Sequence, residues 1–348
     1  MTFEKNFKRK LIFSVLFFFT IFSSTNLFSL EHFHLDTKIE FGVMKGEINE
    51  YVFTTPMTGN PTDYMLSRLD WDVNFIRFIG CSFDATIIEH VFVGLSGRIG
   101  FASKSGNMQD YDWLNVGAKG FDKNWYDNHN WLTNYSKHDN YLTNYLDGEV
   151  QLGGIINLPC EFFLLPSFSI KGQEFSFDGK NGFSQYVGNT PEPYNPDGSI
   201  KEWTSDITKS EMSGKVISYN QQRMFLFVGV KAYTTVVPKF YFSLEGKFSP
   251  LTMIGAVDTH WQRLTPTNFL DQPIGFGTWE ISGSVKFMPN KNFKLSLDVD
   301  FQYVPVMKGK NYQKYASEKY FPSTPEKDIL GGAGSKLFSI SLGGVMAF

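Results

Sequence analysis

The sequence predicts an all-β fold: a ten-stranded antiparallel up-and-down transmembrane β-barrel with long external loops. After the N-terminal segment, no apolar run is long enough to form a membrane-spanning helix. Aromatic residues nevertheless make up 17% of the 348 residues, a combination typical of membrane barrels. Apolar and polar residues also alternate with period two in several separate segments. The mean hydropathy of −0.20 agrees with this fold, because alternating strands never raise the average.

The N-terminus has the organisation of a secretory signal peptide. Four basic residues precede an apolar run at 11–22, and small polar residues follow as far as Ser29. We therefore predict a signal peptide at 1–29 and a single barrel domain at 30–348. Removing four basic residues and one acidic residue with the signal changes the formal charge from −3 to −6. A mildly acidic chain argues against a nucleic-acid partner and suits cationic ones.

The alternating segments place charges on one face and apolar rings on the other. In the segment 293–303 every second residue is apolar, and Asp298 and Asp300 lie between them. The segments 240–248 and 91–101 repeat this pattern. A strand between lipid and a polar lumen has its charged side chains facing inward and its aromatic rings facing outward.

Short and long connections alternate between these segments. Short turns are predicted at 88–90, 157–160, 236–239 and 288–291. The last three contain a proline or asparagine, which favours a tight reversal of the chain, and the first has only three residues. Long polar connections are predicted at 47–62, 104–140, 178–215, 257–275 and 307–334. Four short and five long connections join ten strands and put both termini on the short-turn side.

The last predicted strand ends on Phe348, after apolar residues at 338, 340, 342 and 346. A terminal aromatic residue on an amphipathic strand resembles the signal that outer-membrane assembly machinery reads. The two cysteines, Cys81 and Cys160, leave two alternatives open: they could pair in an oxidising envelope, or remain free thiols.

Two acid-containing pairs lie where an extended run gives way to a polar loop. Asp110 and Asp112 stand at i and i+2, so on a strand both carboxyl groups point to the same side and can hold a water molecule. Asp258 and His260 have the same spacing, which lets the carboxylate fix the imidazole tautomer while the other nitrogen accepts a proton. Taken alone, the first pair could be solvated loop acids, and His260, beside Trp261, could belong to an interfacial aromatic belt.

The sequence around these pairs resembles the omptin family of outer-membrane proteases. The islands that carry the resemblance are Gly106-Asn107-Met108-x-Asp110-x-Asp112-Trp113, the stretch from Trp131 to Ser136-Lys137-His138, Asp258-x-His260, Leu69-Asp70-Trp71 and Glu50-Tyr51-Val52-Phe53. They occur in this family's order and are spread thinly over most of the chain.

The resemblance implies an endopeptidase in the bacterial outer membrane with its active site facing outside. Asp110 and Asp112 would position the attacking water, and His260, oriented by Asp258, would be the general base. Ser136 and His138 would line the cleft. The resemblance implies a monomer with peptide or protein substrates that are cationic in part, and no cofactor beyond lipopolysaccharide or another outer-membrane lipid as an activator.

The family resemblance also implies a pocket for basic side chains, and here the chain departs from the pattern. Glu50 matches the family's pocket glutamate, but Ala256 stands where a second acid is expected and Asn134 where a neighbouring subsite has an acid. Each lost carboxylate removes a charge-assisted hydrogen bond worth roughly 1.5–3 kcal/mol to a guanidinium. We therefore expect a weakened preference for basic residues.

Other functions remain open on the same scaffold, chiefly a non-catalytic barrel that acts as an adhesin or a narrow channel. An adhesin has no physical need for Asp-x-Asp facing Asp-x-His, and inward charges would fill the lumen of a channel. The charges expected there are Asp70, Asp72, Arg98, Glu149, Glu245 and Asp300. The sequence has no metal motif such as His-Glu-x-x-His and no Gly-x-Ser-x-Gly. A third possibility, an envelope lipase barrel, would need a Ser-His pair on the lipid-facing wall, and the sequence offers no clear one there.

Overall fold

A computed structural model describes residues 33–56, 63–87 and 89–348, so the predicted signal peptide at 1–29 lies outside the described residues. The described chain is almost entirely antiparallel β-structure. Its strands are β1 (Phe33–Thr54), β2 (Tyr64–Ile87), β3 (Val91–Gly100), β4 (Ser103–Asp112), β5 (Asn134–Gly154), β6 (Ile156–Leu158), β7 (Phe162–Tyr186), β8 (Ser210–Glu211), β9 (Lys215–Thr234), β10 (Phe240–His260), β11 (Thr267–Gly275), β12 (Thr278–Asn290), β13 (Phe293–Tyr315) and β14 (Ile329–Ala347).

The strands close into a ring because β1 pairs with β2 on one side and with β14 on the other. Two barrel strands are each broken into two pieces, β3 with β4 and β11 with β12, and the pieces share the same neighbours. β6 and β8 are short additions to β7. The ring therefore has ten antiparallel strands, and the predicted fold class is confirmed.

An apolar belt surrounds the lower part of this ring. We use this name for the outward-facing apolar side chains that are well exposed on successive strands. They include Ile39, Phe41, Phe75, Ile99, Leu152, Phe168, Val228, Leu244, Met253, Ile274, Ile281, Leu295, Phe338 and Leu342. The alternation read from 293–303, 240–248 and 91–101 produces this belt, with Asp298 facing the interior.

The strands continue well above the belt at the end that carries the long connections. On β10, Asp258 follows the belt residue Met253 by five residues, or about 17 Å along the strand. Three of the predicted short turns are found, at 159–161, 235–239 and 291–292, and the fourth includes residue 88, which lies outside the described residues. The external connections 113–133, 187–214, 261–266 and 316–328 are shorter than predicted. The first one, predicted at 47–62, begins only after Thr54 and lies largely outside the described residues. The reason is that strands above the membrane have polar residues on both faces, so alternation no longer marks them.

A β-bulge in β2 overturns the predicted inward orientation of Asp70 and Asp72. The pairing of β1 with β2 shifts between Met44 and Gly46, opposite Phe75, which has a φ of 53°. One extra residue reverses which side chains face the interior. Trp71 and Val73 are therefore buried inside, and Asp70 lies on the outer wall, where it binds Arg68 at 2.9 Å.

The other predicted inward charges do fill the lower lumen with ion pairs and hydrogen bonds. Arg98 binds Glu40 at 2.7 Å and Asp300 at 2.9 Å, and Lys247 binds Glu149 at 2.7 Å. Gln151 donates a hydrogen bond to Glu245 at 2.7 Å. Above this network, Trp71 stacks on Tyr219 and Phe177, with ring centroids 5.3 and 5.8 Å apart.

The external connections carry the little helix that the described chain contains: the 3-10 helices Leu114–Gly117 and Val187–Asn189, and the α-helix α1, Lys123–Asn128. None of the helices in the described ranges is both long and apolar enough to cross a bilayer. Asp122 caps α1 by accepting a hydrogen bond from the Trp125 amide at 2.9 Å. Cys81 and Cys160 are both free and exposed, which decides between the two alternatives for the thiols.

Candidate active site

A cavity of about 510 Å³ opens at the upper mouth of the barrel, above the stacked rings of Trp71 and Tyr219. All seven residues singled out from the sequence line it. They are Glu50 on β1, Asp110 and Asp112 on β4, Ser136 and His138 on β5, and Asp258 and His260 on β10. The fold therefore brings together residues that lie more than two hundred positions apart in the chain.

Asp258 and His260 form a hydrogen-bonded pair at the end of β10. The Nε2–H of His260 donates to Oδ2 of Asp258 at 2.6 Å. Asp258 is buried, whereas the His260 side chain keeps 25% of its surface exposed. With its Nε2–H committed to Asp258, the ring has Nδ1 left to accept a proton, and it is held edge-on to Phe269, with centroids 5.4 Å apart.

Asp110 and Asp112 lie at the end of β4 and point to the same side of the strand, as their spacing predicts. Ser67 donates to Oδ1 of Asp110 at 3.3 Å, and Asn134 donates to Oδ2 of Asp112 at 3.5 Å. Burial, reinforced by the charge of Asp112, raises the pKa of Asp110 well above its usual value, and burial also raises the pKa of Asp112. The pair therefore holds on to a proton into the range where ordinary aspartates are ionised.

Glu50 lies at the bottom of the cavity and is only 3% exposed. Burial raises its pKa well above the usual value, and the nearby charges of Asp258, Asp271 and Asp110 raise it further. The bottom of the site is thus a set of carboxyl groups that cannot all be ionised without a cation.

Ser136 and His138 form a second hydrogen-bonded pair on the β5 side of the cavity. Nδ1–H of His138 donates to the Asn181 carbonyl at 2.5 Å, so Nε2 accepts the hydrogen bond from the Ser136 hydroxyl at 2.9 Å. Burial lowers the pKa of His138, which keeps the ring neutral. Register places Ser136 directly opposite Asp110.

The two positions that depart from the family pattern also face the interior. Ala256 is 2% exposed and lies one inward position below Asp258. Asn134 is buried beside Asp112, to which it donates a hydrogen bond. Neither side chain brings a charge to the cavity.

Sequence reasoning missed four residues that line this cavity, Tyr186, Arg263, Ser67 and Asn311, and also Asp271, which lies behind the lining and is hydrogen-bonded to Asn311. Tyr186 lines the cavity, and burial raises the pKa of its phenol, so it remains an O–H donor. Arg263 follows the Asp258–His260 pair in the external connection 261–266, and its guanidinium lies over the Phe269 ring, 4.8 Å from the centroid. No local motif marks these residues. Only strand register, which is fixed by distant pairing, brings them to the cavity.

No group of three or more His, Cys, Asp or Glu side chains in the described ranges has the arrangement of a metal site. The carboxyl groups around the cavity are engaged by serine, asparagine and histidine donors instead. The chemistry available here is proton transfer between water, carboxyl groups and imidazole.

Comparison with known proteins gives a family match over most of the chain. The model of the omptin family matches residues 31–342. Protease 7 of Escherichia coli K12 is 25% identical over 181 residues, which is 49% of this chain; the chain spans about half the length of that relative, 52%. The outer membrane protease OmpP of the same strain is 23% identical over 249 residues, 70% of this chain and 71% of OmpP.

A solved structure supports the fold. The crystal structure of the outer membrane protease OmpT from Escherichia coli superposes with a TM-score of 0.73, covering 92% of this chain and 99% of that one. The two sequences are 16% identical in this alignment, so the likeness concerns the fold of the barrel.

Proposed function

This chain belongs to the omptin family and lies in the bacterial outer membrane, and from that premise we propose that it is an endopeptidase that hydrolyses peptides or proteins outside the cell. The observation that carries the proposal is the cavity in which the Asp258–His260 pair and the Asp110–Asp112 pair meet above an apolar layer. The apolar rings below the carboxyl groups lower the local dielectric constant, which strengthens the electrostatic interactions of the site.

In the proposed mechanism, water held by Asp110 and Asp112 gives a proton to Nδ1 of His260 while its oxygen bonds to the carbonyl carbon of the peptide. The Asp258 carboxylate stabilises the imidazolium that forms. The C–N bond then breaks as His260 passes the proton to the departing amine. The products are a carboxylic acid and an amine, and His260 returns to its neutral form.

The activity is tested with the purified barrel in detergent, incubated with a peptide library with and without lipopolysaccharide. Mass spectrometry of the products identifies the cleaved bonds. We expect internal cleavage that requires neither a metal nor a serine nucleophile, and therefore survives a chelator and a serine-directed inhibitor. A His260→Ala barrel prepared in parallel controls for contaminating proteases. Intact peptides under both lipid conditions would instead favour the non-catalytic barrel, an adhesin or a narrow channel.

Glu50 supports a preference for a basic substrate residue on the amino side of the cut bond. Its carboxyl group lies buried at the bottom of the cavity and has no neighbouring Lys or Arg ion pair among the described residues. Glu50→Gln should lower kcat/KM for an Arg peptide about tenfold or more relative to a matched Leu peptide, since a charge-assisted hydrogen bond is worth roughly 1.5–3 kcal/mol.

The matched control for this substitution is Glu47→Gln, on the same strand but near Lys336 outside the cavity. It should leave the ratio of the two kcat/KM values as in the parent. Equal ratios in the parent and in Glu50→Gln would remove Glu50 from the pocket and leave the catalytic assignment untouched.

We also propose that the barrel acts as a monomer and that outer-membrane lipid contributes to its activity. The ring of ten strands is closed within one chain, so no strand edge of the barrel requires a partner. The apolar belt supplies the lipid-facing surface. The comparison with and without lipopolysaccharide tests the lipid contribution.

A further inference from the structure

Ala256, which stands where the family pattern has an acid, is paired with an acidic residue that the linear sequence does not reveal. In the register of β10 with β11, Ala256 lies directly opposite Asp271. Directly paired residues in an antiparallel sheet bring their Cβ atoms within about 4.5–5.5 Å on the same face. Asp271 is 2% exposed and, like Ala256, points to the interior.

The surroundings of Asp271 are built to hold a carboxyl group. Asn311 on β13 donates to its Oδ1 at 2.7 Å and itself lines the cavity. On β14, Gly331 leaves room for it, because a Cβ at that position would lie 2.0 Å from Oδ1 of Asp271. Two neighbouring strands thus accommodate this one side chain.

We propose that Asp271 supplies the second carboxylate of the pocket for a basic substrate side chain, in place of the acid absent at Ala256. This inference rests on the proposed peptidase function and concerns only the specificity of the same site. With Glu50 on one side and Asp271 on the other, a guanidinium or ammonium group would meet two carboxylates, as it would if position 256 were acidic.

Independent evidence for a cationic ligand comes from oxygens without partners. Within the described part of the chain, Oε2 of Glu50 and Oδ1 of Asp258 are buried and accept no hydrogen bond. Both residues are at least nine-tenths buried. Buried carboxylate oxygens without donors are costly, and a substrate cation supplies both the donors and the countercharge.

The pKa of Asp271 makes the charge of the proposed pocket depend on pH. Burial, helped by the charge of Asp258 and opposed by the hydrogen bond from Asn311, raises the pKa of Asp271 to about 8. The groups that face it are Glu50 on β1, Asp258 on β10, Asn311 on β13 and, more remotely, Tyr219 on β9. A raised pKa means that Asp271 is neutral below about pH 8 when the pocket is empty and becomes charged as the pH rises.

The test uses Asp271→Asn, which preserves shape and can still accept the hydrogen bond from Asn311. The measurement is the ratio of kcat/KM for matched Arg and Leu peptides between pH 6.5 and 9. In the parent the ratio should rise as the pH increases through the titration of Asp271. In Asp271→Asn the ratio should be about tenfold lower at pH 9, because one charge-assisted hydrogen bond is lost, and its rise with pH should be smaller.

Two further variants sharpen the test. Asp84→Asn makes the same chemical change at the opposite end of the barrel interior, and its Arg-to-Leu ratio should follow the parent. The double variant Asp271→Ala with Ala256→Asp moves the carboxyl group from β11 to β10 and should restore a ratio lost in Asp271→Ala alone. Ala256→Asp alone should sharpen the preference little, because it places a second acid against Asp271 and each disfavours ionisation of the other.

A merely structural role for Asp271 predicts a different result. In that case Asp271→Asn lowers kcat/KM for both peptides by the same factor, the ratio and its pH dependence stay as in the parent, and the inference is overturned while the peptidase function stands. A parent barrel that cleaves neither peptide overturns the proposed function itself. The two failures are therefore distinguishable in one set of measurements.

Discussion

Replacing His260 by alanine should leave a folded barrel whose peptidase kcat is at least about 100-fold lower, the effect typical of losing a general base. His260 is the imidazole that reaches the cavity with a free Nδ1, because its Nε2–H is committed to Asp258 at 2.6 Å. Asp258→Ala should show a loss of the same order, since the ring then lacks both its orienting acceptor and the charge that stabilises the imidazolium. Turnover is measured by the release of a cleaved peptide under saturating substrate.

Folding is monitored separately through the shift in electrophoretic mobility between heated and unheated barrel. Neither substitution should abolish this shift, because the ten-stranded pairing does not depend on these side chains, and removing Asp258 relieves repulsion with Glu50. The matched control is His129→Ala, which removes an imidazole from an external connection, where it contacts Asp197 at 2.9 Å. A His260→Ala barrel as active as the parent would rule out the proposed base.

Asp110→Asn and Asp112→Asn should each depress turnover by about 100-fold or more, since each removes one of the two carboxyl groups proposed to orient the attacking water. The two variants should also differ from the parent in pH dependence where activity remains. Burial and the charge of Asp112 raise the pKa of Asp110, so Asp112→Asn removes the second of these causes. The acidic limb of the pH profile should therefore move to lower pH in Asp112→Asn.

Ser136 provides the sharpest contrast to a water nucleophile, because its hydroxyl lies 2.9 Å from Nε2 of His138 in the geometry of a nucleophile and its base. A water mechanism predicts no covalent labelling by a serine-directed inhibitor, together with a large loss in Asp110→Asn. The opposite result would be covalent modification of Ser136 with loss of activity, together with an Asp110→Asn variant as active as the parent. Those two results would identify Ser136, and not water, as the nucleophile.

The fold was predictable because the part of the barrel in lipid obeys a simple rule. Lipid on one side and ion pairs on the other force a period-two alternation, which segments such as 293–303 display directly. Above the belt that constraint disappears. The end of β10, up to His260, was therefore predicted as part of a loop. The bulge at Phe75 is a tertiary feature without a sequence signature, and it reverses the orientation predicted for Asp70 and Asp72.

The site divides in the same way between local and non-local information. The pairs Asp110–Asp112 and Asp258–His260 are visible in the sequence because i, i+2 spacing on a strand puts both members on one face. The sequence does not mark Asp271 in this way, since its position opposite Ala256 depends on the register of β10 with β11. An acid that a neighbouring strand contributes, as proposed for Asp271, cannot be recognised by counting from a motif.

The crowding of carboxyl groups around the cavity also bears on how a reaction cycle would end. Hydrolysis converts a neutral amide into a carboxylate, and it does so beside Asp110, Asp112 and Asp258. Like charges at about 4 Å repel by roughly 4 kcal/mol at an effective dielectric constant near 20. In the proposed reaction the substrate would enter this field uncharged at its scissile bond, whereas the acyl product would be repelled by it. The acids proposed to position water would then also shorten the residence time of the product.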